Sequence, residues 1–196
     1  MKIKSTPEVS LVSLDNDFKE VVNIFGNCGI RHNIKKEPYE ELIRAVAYQQ
    51  INTRVADIII DRMIYRFSSD GNFPTPEELL IIPIDSYKNC GFSFSKAETI
   101  ILIAKSTVEG IVPPLKIAQK LSDEEIFLRL ISLKGVGRWT VEMLLIYGLD
   151  RKDILPASDL GIRKGYMLMK GLTEIPSPAE MKSIGEKWLP YRTIAS

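Results

Sequence analysis

The chain has 196 residues, 45% hydrophobic and 26% charged, which is the profile of a globular protein and enough for one ordinary domain or two small helical lobes sharing a cleft. No apolar run reaches the roughly 18 residues of a membrane span. The N-terminal Met1-Lys2-Ile3-Lys4-Ser5-Thr6-Pro7 lacks a secretory core, and two cysteines, Cys28 and Cys90, are too few for a disulfide framework or a four-cysteine iron–sulfur cluster. The net charge of +1 excludes the strongly basic profile of many nucleic-acid-binding domains.

These features lead us to expect an intracellular, monomeric protein with no membrane partner. Any role on DNA must come from local charge, such as the stretch holding Lys134, Arg138, Arg151, Lys152, Arg163, Lys164 and Lys170. Interspersed acidic residues make that stretch equally readable as a solvated surface. Cys28 and His32 supply at most half of a zinc ligand set. His32 is the only histidine, and no nucleophile motif accompanies it.

In chain order, Val9-Ser10-Leu11-Val12-Ser13 reads as extended. Helical periodicity then dominates. Leu42, Ile43, Val46 and Ala47 share one face of 39–49, and Val55, Ile58, Ile59, Met63 and Phe67 share one face of 53–67. Four capping boxes are expected, at Thr75/Glu78, Ser95/Glu98, Ser122/Glu125 and Ser177/Glu180. Pro76 and Pro178 fall at first helical positions, and Gly91, Gly110 and Gly148 where helices should stop. No stretch shows sustained strand alternation. The chain is read as all-α, one unit over 1–196 with two helical lobes. Pro190 is expected to open a last helix that is one turn long or cut short.

Residues 126–148 place Leu133-Lys134-Gly135-Val136-Gly137 between two helical stretches. Two glycines permit φ > 0 and close backbone approach, and Val136 between them can plug the helix–helix interface. The next helix starts near Arg138, so its free N–H groups and positive dipole end form a phosphate site. Thr140 adds a hydroxyl and Arg138 a charge. Downstream, Ile154-Leu155-Pro156-Ala157-Ser158-Asp159-Leu160-Gly161 sets an aspartate at the start of another helix, with Ser158 as its cap. Asp159 could otherwise serve only to complement the helix dipole.

The helix–LxGxG–helix segment resembles the helix-hairpin-helix motif, which binds a DNA phosphate without reading bases. With the aspartate loop it is similar to the signature of the helix-hairpin-helix DNA glycosylase superfamily. Further segments carry the resemblance: Ala45-Val46-Ala47-Tyr48-Gln49-Gln50-Ile51 with Ala56, then Phe73–Leu80 and Gly91–Ala97. Gly137-Arg138-Trp139-Thr140-Val141-Glu142-Met143 and Trp188-Leu189-Pro190-Tyr191-Arg192 resemble the 3-methyladenine DNA glycosylase II branch. The likeness spans roughly residues 15–196.

The resemblance implies two helical lobes around a cleft, double-stranded DNA with alkylated purines as substrate, and Asp159 as catalytic carboxylate. It implies a base pocket of Trp139 and Tyr191, with Tyr48 a further candidate whose other role is core packing. Met143 stands where related pockets can carry another aromatic. It implies a minor-groove wedge in the turn of Gln50, Ile51 and Asn52; alternatively Ile51 is core and Gln50 a helix cap. A monovalent cation held by the Leu133 and Val136 carbonyls is implied as well. Bifunctional relatives carry a lysine nucleophile where this chain has Trp139, so no lyase step is expected. Two other readings stay open at this point. One is a glycosylase for uracil, mismatched thymine, hypoxanthine or 8-oxoguanine, and the other is a non-catalytic helix-hairpin-helix module. The host, and hence nucleoid or nucleus, is not fixed by the residues.

Overall fold

The computed structural model describes residues 6–30 and 36–196; the expected pairing of Cys28 with His32 involves a residue outside them. The helices in order are α1 (Pro7–Leu14), α2 (Phe18–Phe25), α3 (Pro38–Tyr48), α4 (Thr53–Phe67), α5 (Pro76–Ile81), α6 (Ile84–Cys90) and α7 (Phe94–Val108). They continue as α8 (Leu115–Ala118), α9 (Asp123–Leu130), α10 (Arg138–Met143), α11 (Leu160–Lys170), α12 (Pro178–Gly185) and α13 (Arg192–Ala195). A π turn, Leu144–Gly148, extends α10, and a 3-10 turn, Glu186–Trp188, extends α12. There is no strand among the described residues.

Local chemistry sets most boundaries. Complete capping boxes open α5, α9 and α12, with Pro76 and Pro178 in the first turn. Two expectations fail for local reasons. Val9–Ser13 is helical, because Thr6 accepts the Val9 N–H and Pro7 starts α1; this start signal outweighs the β-branched residues. The cap of α7 is Ser93, which accepts the Lys96 N–H, and not Ser95. Gly91 ends α6 with φ 115, and buried Phe92 turns the chain two residues sooner than the Ser95/Glu98 spacing suggested.

The chain forms two compact units. One joins the N-terminal segment to Asp150–Ser196; the other is the stretch between, ending at Leu149. In the second unit α3 is central, with α4, α7 and α10 packed on it. Leu42, Ile43 and Val46 of α3 are fully buried, as are Ile100 and Ile103 of α7 and Val141 of α10. On α4 the buried face is Ala56, Ile59, Ile60, Met63 and Phe67. Val55 and Ile58, expected on that face, are 48% and 44% exposed. The buried stripe therefore runs 56, 60, 63, 67, one residue round from the expected start.

The first unit is built on Leu11, Phe18, Met181 and Trp188, with Leu155, Ile162, Tyr166 and Ile184 packed against them. Phe18 meets Trp188 edge-on with ring centroids 5.4 Å apart. The Trp188 indole N–H donates to Asp15 Oδ2 at 3.1 Å. Lys187 lies 2.8 Å and Lys170 3.3 Å from the same carboxylate, which is 8% exposed. Burial opposes ionisation of Asp15, but bonds from Lys187, Trp188 and Lys170 outweigh it and hold its pKa below the ordinary carboxylate value.

Because the folded pKa is depressed, this network's stabilisation is full above the unfolded pKa and is lost as pH falls through the folded one. Asp15→Asn is expected to lower stability at neutral pH by about 1–3 kcal/mol. In thermal unfolding from pH 7 to pH 2, the gap between wild type and variant should close as the pH drops below about 4. A gap that stays constant with pH would remove Asp15 from the acid response.

Candidate functional site: a helix hairpin, a strained turn and a capping aspartate

Three local structures hold the residues singled out in the sequence. The hairpin follows α9. The Leu133 N–H bonds the Leu130 carbonyl at 3.1 Å and the Val136 N–H the Leu133 carbonyl at 3.0 Å. Gly135 has φ +87, and a Cβ there would lie 2.0 Å from the Thr99 hydroxyl. Leu133 and Val136 are buried, so the loop plugs into the unit through these two side chains. Gly137 differs from the expectation of φ > 0: it is extended, with φ −92 and ψ 176, and N-caps α10.

Arg138 is exposed. Its guanidinium stands 4.4 Å over the Phe127 ring, and its Nη1 is 3.4 Å from Glu142 Oε1. Thr140 is 1% exposed and its hydroxyl accepts from Gln49 Nε2 at 2.9 Å. It therefore supports the hairpin from inside instead of offering a hydroxyl to solvent. Trp139 and Met143, four residues apart on α10, share a helix face and are both half-buried.

The second structure is the turn between α3 and α4. Gln49 has φ −52 and ψ 124, Gln50 has φ 57, and the Ile51 N–H reaches back to the Tyr48 carbonyl at 3.5 Å. This is a type II turn with glutamine where glycine is preferred. Gln50 is exposed and caps no helix; Ile51 is 39% exposed and is not core. Asn52 is the cap of α4, its Oδ1 accepting the Arg54 N–H at 2.9 Å. Beside the turn, half-buried Tyr48 donates its hydroxyl to the Asp57 carboxylate. Burial, then the Asp57 bond and charge, push the Tyr48 pKa up to about 12.

Two further residues, Lys96 and Gln49, hold this turn, a role the sequence did not signal for either. Lys96 Nζ donates to the Ala47 and Gln49 carbonyls, each at 2.8 Å, and burial lowers its pKa. Gln49 Nε2 also donates to the Gly135 carbonyl at 3.1 Å. No local pattern signals either contact.

The third structure lies in the first unit. Asp159 is half-buried and is itself the N-cap of α11, with Oδ1 accepting the Ile162 N–H at 3.0 Å. Ser158, the expected cap, is exposed. Buried Pro156 accepts the Asp159 N–H at 2.9 Å and fixes the approach to the helix.

The C-terminal segment pins the start of the same loop. Thr193 Oγ1 donates to the Arg151 carbonyl at 2.7 Å and accepts the Ile154 N–H at 3.0 Å. Arg192 grips the Asp153 carboxylate at 2.8 and 2.9 Å, which raises the arginine's pKa. Leu155 packs on Gly185 so closely that a Cβ there would lie 2.2 Å from Leu155 Cδ2. Tyr191, half-buried, precedes α13 as its N-cap residue. Pro190, expected to open that helix, stands before it: α13 begins at Arg192.

The hairpin, the turn, Tyr48, Trp139 and Met143 thus belong to the second unit, and Asp159 and Tyr191 to the first. Among the described residues no three His, Cys, Asp or Glu side chains group as a metal site. The Leu133 carbonyl keeps a lone pair beyond its bond to Val136 N–H. Neutral main-chain oxygens of this kind fit a monovalent cation better than Mg2+, which is usually bound through carboxylates.

The chain belongs to the HhH-GPD superfamily of base excision DNA repair proteins, whose pattern matches residues 43–191. It is 43% identical to DNA-3-methyladenine glycosylase 1 of Schizosaccharomyces pombe over 190 residues, 96% of this chain and 83% of that protein. It is 32% identical to the alkylbase DNA glycosidase-like protein mag2 of the same yeast, over 96% of this chain and 89% of that one. Among solved structures, the Schizosaccharomyces pombe 3-methyladenine DNA glycosylase in complex with abasic DNA superposes with a TM-score of 0.93, covering 96% of this chain and 92% of that chain.

Proposed function

We propose that this protein is a monofunctional DNA glycosylase that hydrolyses the N-glycosidic bond of alkylated purines, 3-methyladenine foremost and 7-methylguanine with it, in base excision repair. The observation that carries the reading is the hairpin with Trp139 on the helix it opens, in a chain 43% identical to a DNA-3-methyladenine glycosylase over 96% of its length. Its substrate is double-stranded DNA, which places its work inside the cell, in a nucleoid or a nucleus.

The hairpin's main-chain N–H groups and the exposed Arg138 grip a backbone phosphate, a contact without sequence preference. Leu133 and Val136 would hold a monovalent cation through their carbonyls, adding positive potential at that phosphate. Gln50 and Ile51 enter the duplex where the target nucleotide leaves the stack, while Asn52 holds the start of α4 behind them.

A purine alkylated at N3 or N7 is cationic. An electron-rich aromatic face suits it, worth about 0.5–2 kcal/mol. Trp139, with Tyr48 and Met143, is the candidate in the second unit, and Tyr191 is a further candidate in the first. Alkylation already makes the base a good leaving group. As the C1′–N bond breaks, its electron pair departs with the base and positive charge develops on the sugar. The Asp159 carboxylate stabilises that charge and orients the attacking water. Water oxygen bonds C1′, its proton passes to the carboxylate, and an abasic site remains. Trp139 offers no amine to form a Schiff base, so the strand stays intact.

The test is incubation with methylated duplex DNA. Free 3-methyladenine and 7-methylguanine should appear, with strand breaks only after alkali. Strand breaks without alkali would overturn the monofunctional assignment. Absence of release from DNA that the protein binds would overturn the alkylpurine assignment, and duplexes with uracil, hypoxanthine or 8-oxoguanine would then separate another glycosylase from a binding module.

A further inference from the structure

Gln49 joins two parts of the second unit that are distant in sequence. Its amide donates to the Gly135 carbonyl in the hairpin loop and to the buried Thr140 hydroxyl on α10. Its own carbonyl accepts from Lys96 on α7. The same helix carries Thr99, which closes against Gly135. Lys96, Gln49, Gly135 and Thr99 therefore form a closed circuit linking α7, the turn and the hairpin. The next residue along the chain is Gln50, left-handed at φ 57. A non-glycine residue keeps that conformation only where its surroundings over-determine it, and the circuit supplies the constraint.

The Gly135 carbonyl is half of one peptide group; the other half is the Val136 N–H, which closes the hairpin on the Leu133 carbonyl. Any reorientation of that peptide when the hairpin meets a phosphate therefore moves the acceptor that Gln49 holds. We propose that Gln49 is a positioning residue that couples the hairpin to the Gln50–Ile51 turn, so that seating the hairpin on a DNA backbone stiffens the turn that enters the duplex. This rests on the glycosylase reading above for what the turn does once stiffened.

The test variant is Gln49→Met, which keeps the length and apolar stem of the side chain and removes both donors. Amide hydrogen exchange is followed at residues 48–52 and 131–140, in free protein and with a duplex carrying a tetrahydrofuran abasic site. In wild type, DNA should slow exchange in both segments. In Gln49→Met the free turn should exchange about tenfold faster, as loss of one or two hydrogen bonds implies. DNA should then slow the hairpin but not the turn. Release of 3-methyladenine in single turnover should fall about tenfold while Kd for the abasic duplex moves less than about threefold. Thr140→Val, which removes one of the two acceptors, should shift the same readouts less and in the same direction, and it serves where Gln49→Met fails to fold.

The coupling is overturned if turn exchange is unchanged in the variants, or if DNA slows the turn equally in variant and wild type. A wild type that binds the duplex but releases no methylated base sinks the glycosylase reading, and the exchange comparison still decides the coupling. A wild type that binds no duplex sinks both.

Discussion

Asp159→Asn should remove base release while leaving the fold and DNA binding in place. The substitution separates two roles of one side chain. As the N-cap of α11, Asp159 accepts the Ile162 N–H, and an asparagine oxygen can accept the same bond; the two residues rank together as caps. What asparagine loses is charge. It cannot stabilise positive charge on the sugar or take a proton from water, so single-turnover release should fall by about 10²–10³-fold or more. Helix stability should drop by about 0.3–1 kcal/mol at most, through the lost charge–dipole attraction. Asp159→Ala is the contrast: it loses the cap as well, at about 1 kcal/mol, or roughly 2–4 °C in Tm for a protein of this size. Release assays, anisotropy on an abasic duplex and thermal melts measure the three quantities. If Asp159→Asn releases base at close to the wild-type rate and only Asp159→Ala loses it, the residue is a structural cap and the catalytic assignment falls.

What could be read from the sequence follows the range of the interactions involved. Capping boxes span four residues, and three of the four expected ones form at Thr75, Ser122 and Ser177. The hairpin was legible because its demands are also local: a tight loop between two apolar-periodic helices, with Val136 plugging inward. Two caps were misplaced by one or two residues, because neighbouring turns shift where a helix starts. The start of α7 was expected at Ser95, and the position of Gly91 and Phe92 places its cap at Ser93. Ser158 was expected as the cap of α11, and the turn at Pro156 gives that role to Asp159. Gln49 lies in a segment that carries the resemblance, but its bridging role could not be read from the sequence. Its partners are 86 and 91 residues away, and a side chain that bonds a distant backbone leaves no periodicity. Thr193, which closes the loop before Asp159 from 39 and 42 residues downstream, was missed for the same reason.

The two glycines of the hairpin, equivalent in the sequence pattern, should respond differently to alanine. Gly135→Ala places a methyl 2.0 Å from the Thr99 hydroxyl at a backbone φ of +87. The left-handed conformation costs an alanine about 1–2 kcal/mol, and the forced contact about 1–3 kcal/mol more, so the variant should lose about 2–5 kcal/mol of stability. Relief of the clash shifts the loop that presents the main-chain N–H groups. Affinity should therefore fall equally for abasic and undamaged duplexes, because phosphate contacts carry no lesion information. Gly137→Ala meets nothing within 4 Å and sits in extended backbone; the poorer cap should cost below about 1 kcal/mol. Adding Thr99→Ala to Gly135→Ala removes the clash with the hydroxyl but not the backbone strain, so only part of the loss should return. Full recovery in the double variant would mean that φ at Gly135 carries no cost. No recovery would mean that the close approach to α7 is not what demands glycine there.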